Sequence, residues 1–188
     1  MFTVEVEDNF VLSLVENSFA VKYFDIVSEQ REYLGQWLAW PALANNEAFF
    51  ANFIKQSLHD YADGKSLVCA MVLAGELVGN ISFHNIDTQL KKVEIGYWLS
   101  CEHQGKGLVS KSVTKMIEIA FTELQMEKIE IFVAIDNNAS RKVCHRLGFD
   151  LEGVITSAEQ LNGRMYDHAA YALSRSDWLG AKSYSVDG

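Results

Sequence analysis

A chain of 188 residues with 49% hydrophobic and 12% aromatic side chains is apolar enough to fold around a sizeable core, and too aromatic for a disordered segment. Its 16 Lys+Arg against 25 Asp+Glu, a formal net charge of −9, argue against a nucleic-acid binder. No uninterrupted apolar run is long enough to cross a membrane, and Met1-Phe2-Thr3 followed by Glu5, Glu7 and Asp8 is no signal peptide, so the cytoplasm is the expected compartment.

In chain order, residues 10–17 read as a strand. Residues 19–38 carry Phe19, Tyr23, Ile26, Val27, Leu34 and Leu38 at helical spacing, as two short helices broken near Gln30. A third helix spans 46–62 and stops at Asp63-Gly64. Two β-type runs, 66–73 and 77–84, are joined by Ala74-Gly75-Glu76. In the next strand, 93–99, Val93, Ile95, Tyr97 and Leu99 alternate with Glu94, Gly96 and Trp98. The helix after it presents Val109, Val113, Met116, Ile117, Ala120 and Leu124 on one stripe. Strand 128–135, a helix over 137–147 capped by Gly148, and two long strands around Asn162-Gly163 complete the order. This pattern predicts an α+β fold, a mixed sheet with helices on both faces. With one proline and no linker, it reads as a single domain over 1–180, with a frayed tail at 181–188.

Cys69, Cys101 and Cys144 are odd in number and far apart, which reads as free thiols, and no CxxC or HExxH spacing suggests a metal. Charge is uneven: residues 1–65 hold 4 Lys+Arg against 10 Asp+Glu (net −6), and residues 91–146 hold 9 against 7 (net +2). An anionic cofactor at one end and an amine at the other would suit that split, as would ordinary solvated charge.

The positive part contains the most informative stretch, HQGKGLVSKS at 103–112. Gly105 and Gly107 allow a tight turn, and the following helix aims free N–H groups and its positive dipole end at it, an arrangement that binds phosphate. Leu108 after Gly107 excludes a Walker loop, and Ser110 in place of a third glycine excludes the dinucleotide fingerprint.

The stretch Gln104-Gly105-Lys106-Gly107-Leu108-Val109, with Val109 where a small residue is usual, resembles the phosphate turn of the GNAT superfamily of acetyl-CoA-dependent N-acetyltransferases. Asn137, Ser140, Gly148 and Phe149 match a second block of that family, and Glu94 to Trp98 match a third. Trp37 to Pro41 and the closing Tyr166, Asp167, His168 and Tyr171 look like its branch acting on ribosomal-protein N-termini, the RimJ/RimL type. The resemblance covers residues 10–178. It implies the GNAT fold, a mixed, mostly antiparallel sheet of about seven strands.

It also implies roles. Acetyl-CoA, as co-substrate without a metal, would lay its pyrophosphate on the backbone from Gln104 through Gly105, Lys106, Gly107, Leu108 and Val109 to Ser110. Its pantetheine arm would run between strands 93–99 and 128–135, pairing with amides of Trp98, Leu99 and Ser100, with Asn137 and Ser140 near the arm. Trp37, Trp40, His84 and Tyr97 would meet the acceptor. A free α-amine, with a pKa of about 8 against about 10.4 for lysine, needs only modest help to lose its proton. Glu94 is the leading base and His84 the alternative. The tyrosine that many relatives use as general acid is Cys144 here, which leaves Ser140, through water, or solvent. Asn137 and Ser140 also suit an ordinary helix start. The expected reaction is direct attack of a primary amine on acetyl-CoA, the acceptor being a ribosomal protein N-terminus. A polyamine, amino acid or other small amine, or a non-catalytic acyl-CoA-binding module, are the alternatives. Neither nucleic acid nor membrane is an expected partner, and a homo-oligomer is compatible with the chain.

Overall fold

A computed structural model describes residues 2–184. Its elements are β1 (Thr3–Glu7), β2 (Phe10–Leu14), α1 (Phe19–Glu29), α2 (Arg31–Leu34), α3 (Glu47–Ala62), β3 (Leu67–Leu73), β4 (Glu76–Asp87) and β5 (Lys92–Leu99). Then follow α4 (Leu108–Glu118), β6 (Lys128–Ala134), α5 (Asn138–Arg146), β7 (Asp150–Leu161), β8 (Arg164–Ser174) and α6 (Arg175–Tyr184). All eight strands join one sheet in the order β1-β2-β3-β4-β5-β6-β8-β7. Among the described residues, no helix is long and apolar enough to cross a membrane.

Local chemistry explains most boundaries. Gln30 ends α1 in a non-helical conformation and α2 restarts behind it. The Asn46 side chain caps α3 by accepting from the Phe49 N–H at 3.0 Å. Asn162 and Gly163 both take positive φ, +52° and +77°, the conformation of a type I′ turn whose twist matches the β7–β8 hairpin.

Alternation along the strands divides the apolar residues between two helical layers. Ile81, Phe83, Val93, Ile95, Ile129, Ile131 and Val133 pack with Val113, Met116 and Ile117 of α4 and Val143 and Cys144 of α5. On the opposite face Val68, Ala70 and Val72 pack with Tyr23 and Val27 of α1 and Phe50 and Ile54 of α3. Both layers are needed, because a sheet this apolar on both faces must be covered twice.

Every neighbouring pair is antiparallel except β5 and β6. That parallel pair is joined only at Lys92↔Lys128, Val93↔Ile129 and Glu94↔Glu130. Beyond Glu94, β5 runs on to Leu99 and β6 to Ala134 with no pairing between them. The sheet therefore opens into a wedge at its centre.

Four details differ from expectation. The sheet has one strand more than the seven anticipated, because β1 sits at an edge with Thr3, Val4 and Glu5 exposed, so no buried face announced it. β4 continues to Asp87 past an irregularity after His84, where Asn85 takes φ +46°. The α4 helix passes into a π-turn at Ile119–Glu123, and this rotation leaves Leu124 36% exposed instead of on the buried stripe. Finally, α6 runs to Tyr184, four residues into the segment read as frayed, and residues 185–188 lie outside the described ones.

Candidate active site

The wedge presents one backbone edge of β5. The Ser100 N–H donates to Val78 O at 2.8 Å, so that amide faces β4. Because amides alternate sides along an antiparallel strand, the Trp98 amide faces β4 as well, and those of Tyr97 and Leu99 face the wedge. Of the three amides expected to hold a ligand arm, Leu99's alone is turned that way. Tyr97's joins it.

At the mouth of the wedge lies the glycine turn. Gly105 and Gly107 both have φ +74°, and Gly107 is the residue from which α4 starts. Lys111 is the first residue of α4 to donate back along the chain, to Gly107 O at 3.0 Å, so the N–H groups of Leu108, Val109 and Ser110 point out of the helix start. This is an anion cradle made of backbone. Lys106 is exposed beside it, while Lys111 is turned away into an ion pair with Glu7 at 2.6 Å. Arg146, from the last turn of α5, donates to Ser110 Oγ at 2.7 Å and brings a second cation to the cradle.

The turn is tied to the helices of the other face. Gln30 Nε2 donates to Ser100 Oγ at 3.0 Å, and the Cys101 N–H donates to Gln30 Oε1 at 2.9 Å. Gln104 Nε2 donates to the Tyr33 hydroxyl; burial raises the phenol's pKa, and this hydrogen bond lowers it by less than burial raises it. So the side chains of Ser100 and Gln104 hold the scaffold, and only their surroundings meet the cradle.

On the α5 side of the wedge, Asn137 Oδ1 accepts from the Ser140 N–H at 3.1 Å, an ordinary helix cap. Ser140 lies next to Tyr97, and Cys144 is wholly buried. Burial pushes the Cys144 thiol up to about 12, so it stays protonated and is a poor nucleophile.

The opposite face holds the acid–base candidates. His84 and Glu94 are cross-strand partners, and Glu130 follows Glu94 on β6. Glu130 is bound by Lys92 and Lys128, each at 3.0 Å. Burial raises its pKa, but these lysines outweigh the burial and hold it below the usual carboxylate range. The His84 ring lies across Gly96: a Cβ at residue 96 would stand 2.2 Å from His84 Nε2. Ser82 Oγ shares a hydrogen bond with that nitrogen at 3.1 Å. One edge of the ring is open to solvent, yet the protein crowding the rest lowers its pKa, with Glu94 opposing. At neutral pH the imidazole is a free base.

The candidate aromatics separate. Trp40 packs edge-on to Phe50 and tilted against Trp98 (6.0 Å each), and Trp98 also meets Tyr23 at 5.7 Å, so both indoles belong to the α1–α3 layer. Trp37 instead meets Tyr166 of β8 edge-to-face at 6.3 Å. Nearby, Asn162 of the hairpin donates to Gly35 O at 3.0 Å, closing a cleft wall between the α2 region and β7–β8. Tyr166 and His168 alternate onto this face, since His168 is opposite Ala134, and Glu159 pairs with His168 at 3.3 Å. Among the described residues no group of three or more His, Cys, Asp or Glu is placed to hold a metal ion.

A wedge with free amides at its side and an anion cradle at its mouth fits a long thioester with a pyrophosphate end. Residues 11–150 match the acetyltransferase (GNAT) domain family. The protein YdaF of Bacillus subtilis (strain 168) is 32% identical over 183 residues, 97% of this chain and 100% of its own. The chain belongs to the GNAT acetyltransferase family. Among solved structures, the microcin C7 self-immunity acetyltransferase MccE, in complex with acetyl-CoA and AMP, superposes with a TM-score of 0.87 at 31% identity over 91% of this chain and 95% of its own. RimL, a ribosomal L7/L12 α-N-protein acetyltransferase with coenzyme A bound, has a TM-score of 0.89 at 26% identity over 92% and 98%. The chain is thus an acetyl-CoA-dependent N-acetyltransferase.

For this GNAT enzyme the sequence missed four neighbours of the site: Arg146, the Gln30 and Tyr33 pair, and Glu159. Arg146 stands six residues after Ser140 in the block that was read, but only folding shows that it turns back to Ser110. Gln30 had been read only as a helix break.

Proposed function

We propose that this acetyltransferase modifies the N-terminal α-amine of a protein, a ribosomal protein being the first candidate, by direct attack within a ternary complex. One observation carries the reading. The wedge reaches through the sheet, with the cradle and α5 on one side and His84, Glu94 and the Trp37–Tyr166 cleft on the other. A cofactor and an amine can therefore approach the same backbone from opposite faces. The similarity to RimL supports the choice of acceptor.

Bound acetyl-CoA supplies an acetyl thioester. The amides of Tyr97 and Leu99 face the wedge, where a donor can polarise a carbonyl as charge develops on it. His84, neutral and with its ring over Gly96, takes the amine's proton through water, and the Glu94 carboxylate across the ladder favours the imidazolium that results. The acidic cleft wall of Glu159 suits an acceptor that arrives as a cation.

The test is a panel of acceptors with acetyl-CoA: peptides beginning with Ser or Ala, the same peptides with blocked N-termini, spermidine and free amino acids, read by mass spectrometry. Acetylation of the free-N-terminal peptides alone is expected. Acetylation of spermidine or of amino acids in preference would replace the acceptor. Cofactor binding with no acetylated product across the panel would reduce the chain to a binding module.

A further inference from the structure

The buried side-chain atoms that lack a hydrogen-bond partner among the described residues are three, and one of them is the Tyr97 hydroxyl. Buried hydroxyls are nearly always satisfied, so this one calls for a partner that arrives later. Tyr97 extends from the strand edge that faces the wedge, on the α4–α5 side of the sheet. Its oxygen lies close to Ser140 and within electrostatic reach of Cys144, both on the buried side of α5, without forming a hydrogen bond of sound geometry to either. Cys144 occupies the position where many relatives carry a tyrosine acid. The phenol therefore points into the space that such a tyrosine would serve, but from β5.

Resting on the function proposed above, we infer that the Tyr97 hydroxyl is the proton donor to the departing sulfur, with Ser140 as its connection to solvent. As the amine nitrogen bonds to the acetyl carbon and the C–S bond breaks, the bonding pair goes to sulfur. Sulfur takes the proton of Tyr97 Oη. The oxygen regains one through Ser140, and the proton lost by the amine leaves through the base on the other face, so charge and protons balance. Burial raises the phenol's pKa, and the Ser140 hydroxyl opposes it, which keeps Tyr97 protonated across the working range. A phenol is also a weaker acid than a thiol, so transfer is completed only as the oxygen is reprotonated. That is why the donor needs Ser140 beside it.

The experiment is Tyr97→Phe with three readouts: kcat and KM for a peptide acceptor, Kd for acetyl-CoA by calorimetry, and Tm of the free protein. Removing a buried hydroxyl with no partner should leave Tm unchanged or raise it by about 2–4 °C. Over the same change kcat falls about 100-fold, with Kd for acetyl-CoA unchanged. Rising stability with falling turnover is the signature, since a packing role would lower both. Unchanged kcat in Tyr97→Phe, or a loss confined to Ser140→Ala, overturns the assignment and leaves the acetyltransferase reading intact. Wild-type protein that binds no acetyl-CoA would overturn the underlying reading instead.

Discussion

His84 shows how much one contact decides. Its ring occupies the space above Gly96, so Gly96→Ala forces the imidazole away from the wedge. If His84 is the base proposed above, the expected result is a fall in kcat/KM for the acceptor of at least about 10-fold with acetyl-CoA affinity preserved. The pH dependence has a definite sign. With its pKa below the ordinary 6.5, His84 is mostly neutral at pH 7, so the acidic limb it sets in kcat/KM should have its midpoint below pH 6.5; His84→Gln should abolish that limb. The same depression disfavours protonation in the folded chain. Its stability contribution is intact above 6.5 and is lost as pH falls through the lower folded value. A Tm series from pH 7 to pH 5, wild type against His84→Gln, measures it.

Among elements, the start of α4 matters most. Gly107 sits in the left-handed region, where an L side chain is strained by about 1–2 kcal/mol. Gly107→Ala should lower Tm by about 2–8 °C at this chain length and should weaken acetyl-CoA binding, because the cradle is formed by backbone that must hold this shape. Calorimetry with acetyl-CoA checks the second half. This element was legible in the sequence because glycine spacing and an apolar stripe are local signals. The π-turn that follows was not, since one extra residue per turn leaves the composition unchanged and merely turns Leu124 outward. β1 was missed for a related reason: an exposed edge strand lacks the one-sided burial that marks a strand.

Across the whole molecule, two helical layers meet through the break between β5 and β6. Gln30 and Tyr33 fasten the α1–α2 layer to the glycine turn and the residues before it, and Asn162 fastens it to the β7–β8 hairpin. A ligand in the wedge bridges both layers and binds only the folded chain. At 100 times its Kd, acetyl-CoA should add about 2.7 kcal/mol of stability, or about 5–11 °C in Tm. A thermal shift under 1 °C at saturation would contradict a wedge that carries the cofactor.

Three things were readable from the chain alone. These were the element order, the cradle at Gly105 and Gly107, and the family blocks around Glu94, Asn137 and Gly148. Each depends on residues near one another in sequence, where periodicity, turn chemistry and capping leave a direct mark. What stayed hidden depends on juxtaposition. Ser100's amide is engaged by Val78 because of the β4–β5 register, Trp40 and Trp98 are drawn together into the α1–α3 layer, Arg146 folds back on Ser110, and His84 has room only because residue 96 is glycine. These contacts join distant segments through strand pairing and packing, which no local pattern encodes.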